Sequence, residues 1–399
     1  MLNGALDGIK VIDASRVLAG PLCAQILADH GARVIKIEPP QGDDTRRWGP
    51  PFKDGAASYY HGVNRNKRSV GLDLSRPEGR EVLLQLLEDA DVFIENFRAG
   101  TMEKWGLGYE EVLRARFPGL VYVRITGFGI DGPLGGLPGY DAVAQAMTGM
   151  MSINGDPRCG TTRVGCPIVD LATGMYAAIG ALMALHARSR LGHGQLVDAC
   201  LYDTGIAILH PQVMNYLISG EVPGLLGNGH PNIVPYDKFG TRSCEIFLAI
   251  GNDGQFRKFC ELLGRPELAE DPRFATNPLR SRNRHALRSL LEEMLAETDG
   301  HELCERLLAH GVPAGPVNTI AEVFEHPHTE HRRMCVEIGG YRLPGIPVKM
   351  SKTEPSVRLP PPRYGADTRA VLCELGYSRE EIEALLAAGV VSEELPGAG

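Results

Sequence analysis

Three short segments near the start of the chain restrict the folds open to it. KVIDAS (10–15) is a β-branched, strand-like run, PLCAQILADHG (21–31) has helical apolar spacing behind Pro21, and RVIKIE (33–38) is strand-like again. Strand, helix, strand with short links implies a parallel pair in one sheet. The rhythm continues through the helix EGREVLLQLLEDA (78–90), with Ser75 and Glu78 at capping-box spacing, and the strand DVFIENF (91–97). A helix near 109–116, the strand LVYVRIT (120–126), a long apolar helix over 171–190, the strand GQLVDACL (194–201) and a helix over 202–219 complete it. The expected fold class is α/β, with a doubly wound, Rossmann-like large domain.

Beyond residue 219 the pattern changes. The stretch 220–235, rich in glycine and proline, reads as a linker, and 236–318 reads as a smaller α+β domain ending at GVPAGPVN. The tail 319–399 is too sparse in elements for a domain and is expected to return and complete the large domain begun by 1–219, so the small domain is an insertion. No stretch approaches the ~18 to 20 apolar residues of a membrane span, and the N-terminus runs straight into LDGIKVID, so the expectation is a cytoplasmic protein with no membrane partner. A net charge of -8 argues against nucleic acid as a partner, and any anionic ligand must meet a local basic cluster. The nine cysteines form no C-x-x-C pair and lie mostly in apolar sequence, as buried reduced thiols do. His326, His328 and His331 in HPHTEHRR read as a solvated loop around Pro327, and no metal is expected.

Gly127, Gly129 and Gly132 spell G-x-G-x-x-G directly after a strand, the pattern of a dinucleotide-binding turn. That turn must open a helix, and here Pro133, Gly135, Gly136, Pro138 and Gly139 follow instead, so a nicotinamide cofactor is not expected. Two carboxylates stand at helix starts beyond this loop: Asp141, after Tyr140, and Asp170, among Ile168, Val169 and Leu171. Each reads either as a helix N-cap or as part of a site. Upstream, NRNKRS (64–69) gathers Arg65, Lys67 and Arg68, which reads either as a solvated face or as a phosphate-binding cluster.

At these residues the chain resembles the class III CoA-transferases, which include formyl-CoA transferase and carnitine CoA-transferase. The resemblance rests on LDGIKVIDASRVLAGPLCAQILADHGARVIKIEPP, NRNKRS, VFIENFRAG, GYDAVAQAMTG and VDLATGMYAAIGAL, and runs on to LCELGYSREEIEALLAAGVV. It is nearest to the glutarate-using branch through DDTRRWGPPF, NGHPNIVPYDKF and TNPLRSRNR. The resemblance implies ring-shaped chains threaded through one another as an interlocked homodimer. It places the family's nucleophile on Asp170, with Tyr140 and Asp141 as further catalytic positions. It places CoA contacts on Leu18, Ala19, Leu72, Asp73, Leu74, Ser75, Asn96, Phe97, Arg98, Lys104 and Gly139, to which the reading adds Arg65 and Lys67. Formyl-CoA transferase differs, with a glutamine at the position of Leu18, a glutamate at Asp141, and four glycines where this chain keeps Gly227 and Gly229 around Asn228. Formate–oxalate exchange is accordingly not expected.

The chemistry implied is transfer of CoA from an acyl-CoA, succinyl-CoA, to a free short dicarboxylic acid such as glutarate, with coenzyme A as cosubstrate and no permanently bound cofactor. An aspartate of ordinary pKa, near ~3.9, is ionised at pH 7 and needs no partner base to attack a thioester. The acceptor's second carboxylate calls for a cation, for which Arg46 and His230 are candidates. A same-fold racemase would want two bases, and those racemases carry a histidine where this chain has Tyr140, whose phenol, pKa about 10, is a poor base. A non-catalytic CoA-binding subunit would keep the basic patch without needing Asp170.

Overall fold

The computed structural model describes residues 4–396 and divides into two compact units, one of Met1–Thr148, Val164–Ile208 and Pro327–Gly399, the other of Gly149–Arg163 and Leu209–His326. In the larger unit, β1 (Lys10–Asp13), α1 (Ala19–Asp29), β2 (Arg33–Glu38), β3 (Lys67–Leu72), α2 (Pro77–Leu87), β4 (Val92–Glu95) and β5 (Val121–Thr126) come first. Then come α3 (Asp141–Met147), α4 (Ile168–Leu191), β6 (Leu196–Cys200) and α5 (Leu201–Ala207). These strands form one parallel sheet in the order β6–β5–β4–β1–β2–β3. The order reverses between β1 and β4, which leaves a crevice at the carboxyl ends of those two strands. Val11 and Ile12 are both fully buried on adjacent positions of β1, the mark of a sheet covered on both faces.

The smaller unit folds around an antiparallel sheet of β7 (Tyr236–Gly240), β8 (Glu245–Ala249) and β9 (Ala314–Pro316). Its helices α6 (Asp253–Leu262), α7 (Arg284–Leu295) and α8 (Gly300–Ala309) bury Phe256, Phe259, Leu291 and Leu303 with Ile246 and Leu248. This unit starts at Leu209, because Pro211 interrupts the helix read over 202–219, and it also takes in the hairpin within 149–163. The last segment carries α9 (Thr368–Glu374), α10 (Arg379–Ala387) and β10 (Val391–Ser392), an antiparallel edge strand on β3. Val371, Leu372, Ile382 and Val391 thereby join the core of the larger unit.

Three sequence expectations change. Ser75 does not cap α2: Arg76 holds the N-cap position, and the Ser75 hydroxyl donates to Asp73 (2.6 Å). The nine cysteines are not mostly buried, since only Cys23, Cys200, Cys260 and Cys304 are, while Cys159, Cys166 and Cys373 are exposed. Helix α4, at 24 residues, is long and apolar enough to cross a membrane by length and composition. Half of its most apolar window is buried, with Gly174 against α1 and Gly180 against Val197 of β6.

NRNKRS is neither a solvated face nor a free phosphate site. Lys67 is buried and its ammonium donates to Asp13 (2.9 Å), the Pro21 carbonyl (2.8 Å) and Asn64 (2.9 Å). Arg65 is buried on Asp29 (2.7 Å), and Arg68 pairs with Asp367 and Glu374. A strand that returns into a parallel sheet carries its charges inside, where each must find an opposite charge. Asp13 accordingly keeps a carboxyl below its ordinary value, because Lys67, Lys36 and Ser15 outweigh the upward push of burial. Lys67→Met should therefore strip Asp13 of its ion-pair partner and destabilise the fold by about 3 to 5 kcal/mol, as urea unfolding will measure.

Candidate active site

The crevice at the strand-order reversal is built by the turns that leave β1 and β4. Asn96 ties them together: Arg16 N–H donates to its Oδ1 (2.8 Å), and its Nδ2 donates to the Arg16 carbonyl (2.7 Å). Phe97 N–H donates to Glu95 (2.7 Å), which fixes the second turn. A cavity of about 200 Å³ opens here, lined by Arg16–Ala19, Asn96–Ala99, Gly136–Tyr140 and Asp170. A second cavity of about 460 Å³ shares Arg16, Phe97 and Arg98 with it and is lined by Pro39, Pro40, Leu72–Ser75, Thr101 and Trp105. The two make one continuous groove across the carboxyl edge of the sheet.

The glycine loop serves this groove through close backbone approach. A β-carbon on Gly127 would lie 2.7 Å from the Gly139 backbone, and one on Gly139 would lie 2.8 Å from Gly127. Between them Gly129, Gly132 and Gly136 take positive φ of 81°, 77° and 74°. The apparent dinucleotide motif thus folds a loop back on itself and opens no helix until Asp141.

Neither acidic residue is its own helix's N-cap. Pro167 occupies that position for α4, and Asp170 lies in the first turn, 8% exposed and facing the cavity. Asp141 caps α4 from α3: its Oδ1 accepts Val169 N–H (2.8 Å) and Asp170 N–H (3.3 Å), while Gln145 donates to its Oδ2 (2.7 Å). Asp141, expected from the resemblance as a catalytic position, does not line the cavity and instead holds the start of α4 through these bonds. Gly174, one turn after Asp170, lets α4 close on α1, since a β-carbon there would sit 2.6 Å from the Ala19 carbonyl. That contact sets Asp170 opposite the turn at 16–19.

The electrostatics differ from the expected ordinary aspartate. Burial, and then the charge of Asp141, push the Asp170 carboxyl up to about 7. Tyr59, which the sequence reading passed over, belongs to the same neighbourhood: burial, Asp170 and then Asp141 push its phenol up to about 12. Its ring meets Trp48 edge-on at 5.3 Å. SYYHG carried no periodic or charge signal that would have marked it.

Of the positions expected to hold CoA, Leu18, Ala19, Asn96, Phe97, Arg98 and Gly139 line the first cavity with Tyr140, and Leu72, Asp73, Leu74 and Ser75 line the second. Lys104 is exposed on the short helix Thr101–Lys104, beside lining residues Thr101 and Trp105. Arg65 and Lys67 are spent on buried carboxylates and reach neither cavity. The two candidate cations for a second carboxylate also fail. Arg46 is buried and bidentate on Glu38 (2.8 and 2.7 Å). His230 has its basicity lowered by burial and Arg284, and its Nδ1 accepts Asn232 N–H (3.0 Å).

The profile of CoA-transferase family III matches residues 6–368. The chain is 43% identical to a succinate–glutarate CoA-transferase of Agrobacterium fabrum, over 93% of this chain and 95% of that one. It is 39% identical to the human succinyl-CoA:glutarate CoA-transferase, over 97% and 90%. The crystal structure of a CAIB/BAIF family protein from Brucella suis superposes with a TM-score of 0.84 at 44% identity, over 94% of this chain and all (100%) of that one. The chain belongs to CoA-transferase family III and is an enzyme of that class.

The raised Asp170 carboxyl has a stability consequence. The folded chain holds this proton more tightly than the unfolded chain, so the stability tied to it is full below pH ~4 and is lost as pH rises towards 7. Asp170→Asn removes that loss. Its stability advantage over the unmodified protein should grow by roughly 2 to 3 kcal/mol between pH 5 and pH 8, measured by urea unfolding at both.

Proposed function

We propose that this enzyme moves CoA from succinyl-CoA to glutarate or another short dicarboxylate through covalent intermediates on Asp170. The observation that carries the reading is a carboxylate placed in the first turn of α4 and facing a groove at the strand-order reversal. Asp170 attacks the thioester carbonyl, the C–S bond breaks, and CoA leaves as a thiolate, giving a mixed anhydride. The thiolate attacks the aspartyl carbonyl and releases succinate, leaving aspartyl-CoA thioester. The acceptor carboxylate attacks the aspartyl thioester carbonyl and expels the thiolate, giving a second mixed anhydride, and the thiolate attacks that anhydride at the acceptor's carbonyl, which forms the new acyl-CoA and frees Asp170. Each step exchanges one acyl bond for another, so no redox partner is required. The raised carboxyl suits this role, because its anion is poorly solvated and correspondingly reactive.

The wider groove takes the rest of CoA, with Leu72–Ser75 and Asn96–Arg98 along its walls and Lys104 at its rim for a phosphate. Tyr140, on the cavity wall, supplies a hydroxyl donor to the acceptor's distant carboxylate, the duty that Arg46 and His230 cannot perform. The enzyme works as a homodimer, in the interlocked form that its resemblance implies. Met175, Tyr176, Ile179, Leu182 and Met183 lie exposed on one side of α4 at helical spacing, the stripe a second copy would cover.

With succinyl-CoA as donor, glutarate should exceed butyrate and valerate in kcat/KM by about 100-fold or more, and equal efficiency would remove the dicarboxylate assignment. Asp170→Asn should lower turnover by about 10³-fold or more while CoA still binds. Hydroxylamine trapping during turnover, read by mass spectrometry, should modify the peptide containing Asp170.

A further inference from the structure

The turn between β1 and α1 holds a strained residue. Among the described residues four non-glycines have positive φ, and Val17, at 71°, is the one with a branched β-carbon. A branched side chain is strongly disfavoured in the left-handed region and stays there only when its surroundings over-determine it. Val17 lines the cavity that Asp170 faces.

What holds it is a fully buried carboxylate. Val17 N–H lies 3.3 Å from both oxygens of Asp43. Asp43 is itself fixed by Thr45, whose N–H (3.0 Å) and hydroxyl (2.7 Å) reach its Oδ1, and by the buried Lys36 ammonium (3.2 Å). Lys36 also donates to the Ser15 carbonyl (2.9 Å), so one cation pins both ends of the bend. The bend delivers the chain into α1, whose first turn has no side-chain cap, with Leu18 and Ala19 at the cavity wall. Uncapped amides of a first turn favour developing negative charge.

We propose that Asp43 is a positioning residue: it clamps Val17 in the left-handed conformation and so aims the Leu18 and Ala19 amides at the thioester carbonyl. The inference rests on reading the cavity as the thioester site. Asp43 touches no substrate, and its influence passes through the conformation of a single residue. Glycine at 17 takes the same φ without strain and has no need of the clamp, whereas proline, fixed at negative φ, cannot take it.

The test is a set of four variants with KM measured separately for succinyl-CoA and for the acceptor. Val17→Gly, which lacks the side chain but can hold the same φ, sets the reference constants, and Val17→Pro should fold yet raise KM for succinyl-CoA at least about tenfold above that reference. Asp43→Asn should resemble Val17→Pro, and adding Val17→Gly to it should bring KM back to within about threefold of the Val17→Gly value. A purely structural Asp43 would not be relieved at position 17, so an uncorrected double variant overturns the proposal, as does an unchanged KM in Val17→Pro. If Asp43→Asn does not fold, the contrast between Val17→Gly and Val17→Pro decides alone. If the unmodified protein transfers no CoA, it is the functional reading that fails, and calorimetric titration of CoA into the Val17 variants still tests the clamp.

Discussion

The larger unit is organised around charges that have no access to water. Asp13 at the end of β1 and Lys67 at the start of β3 are both fully buried and meet across β2. Such a pair contributes little net stability compared with an apolar replacement, but losing one member is costly. Its effect is therefore on geometry. Because Lys67 also holds the Pro21 carbonyl, it fixes where α1 sits over the strands. Lys36 with Asp43 and Arg46 with Glu38 repeat the arrangement on the neighbouring segments. The walls of the groove stand on this layer of paired charges.

A second electrostatic theme runs in the opposite sense. Asp170 and Asp141 are neighbours of like charge, and among the described residues no cation pairs with Asp170 in the way Lys67 pairs with Asp13. The protein uses the dipole of α4 and its capping amides for Asp141, which leaves Asp170 as the carboxylate that is hard to ionise. Stability is given up at a carboxylate that faces the cavity, where a settled side chain would have been paired.

Much of this was legible in the sequence. The alternation of β-branched runs and apolar helical spacing from KVIDAS to LVYVRIT is local information, and the parallel sheet follows from it. Asp170, Asn96–Arg98 and Leu72–Ser75 were reached through motif resemblance, and the fold brings them to one edge. The basic patch was misread because sequence shows charge without its partner: Asp29 and Asp13 lie 36 and 54 positions from Arg65 and Lys67. Asp141 was misread for a related reason, since a carboxylate that opens one helix can cap another only once the two have met. Tyr59 and the left-handed Val17 left no trace, because neither a tyrosine in the short helix Ser58–His61 nor a valine after a strand announces its environment.

The contact between Gly127 and Gly139 gives the intervening segment an unusual freedom. Its two ends are cinched together by bare backbone, so the path out of β5 and the path into α3 are fixed independently of what lies between. Within residues 128–138 the positions other than the turn glycines can then change without transmitting the change to the sheet or to the carboxylates. In evolutionary terms the loop is an exchangeable cassette in a rigid clasp. Substrate preference can drift there through substitution while the two clasp positions themselves tolerate no side chain at all.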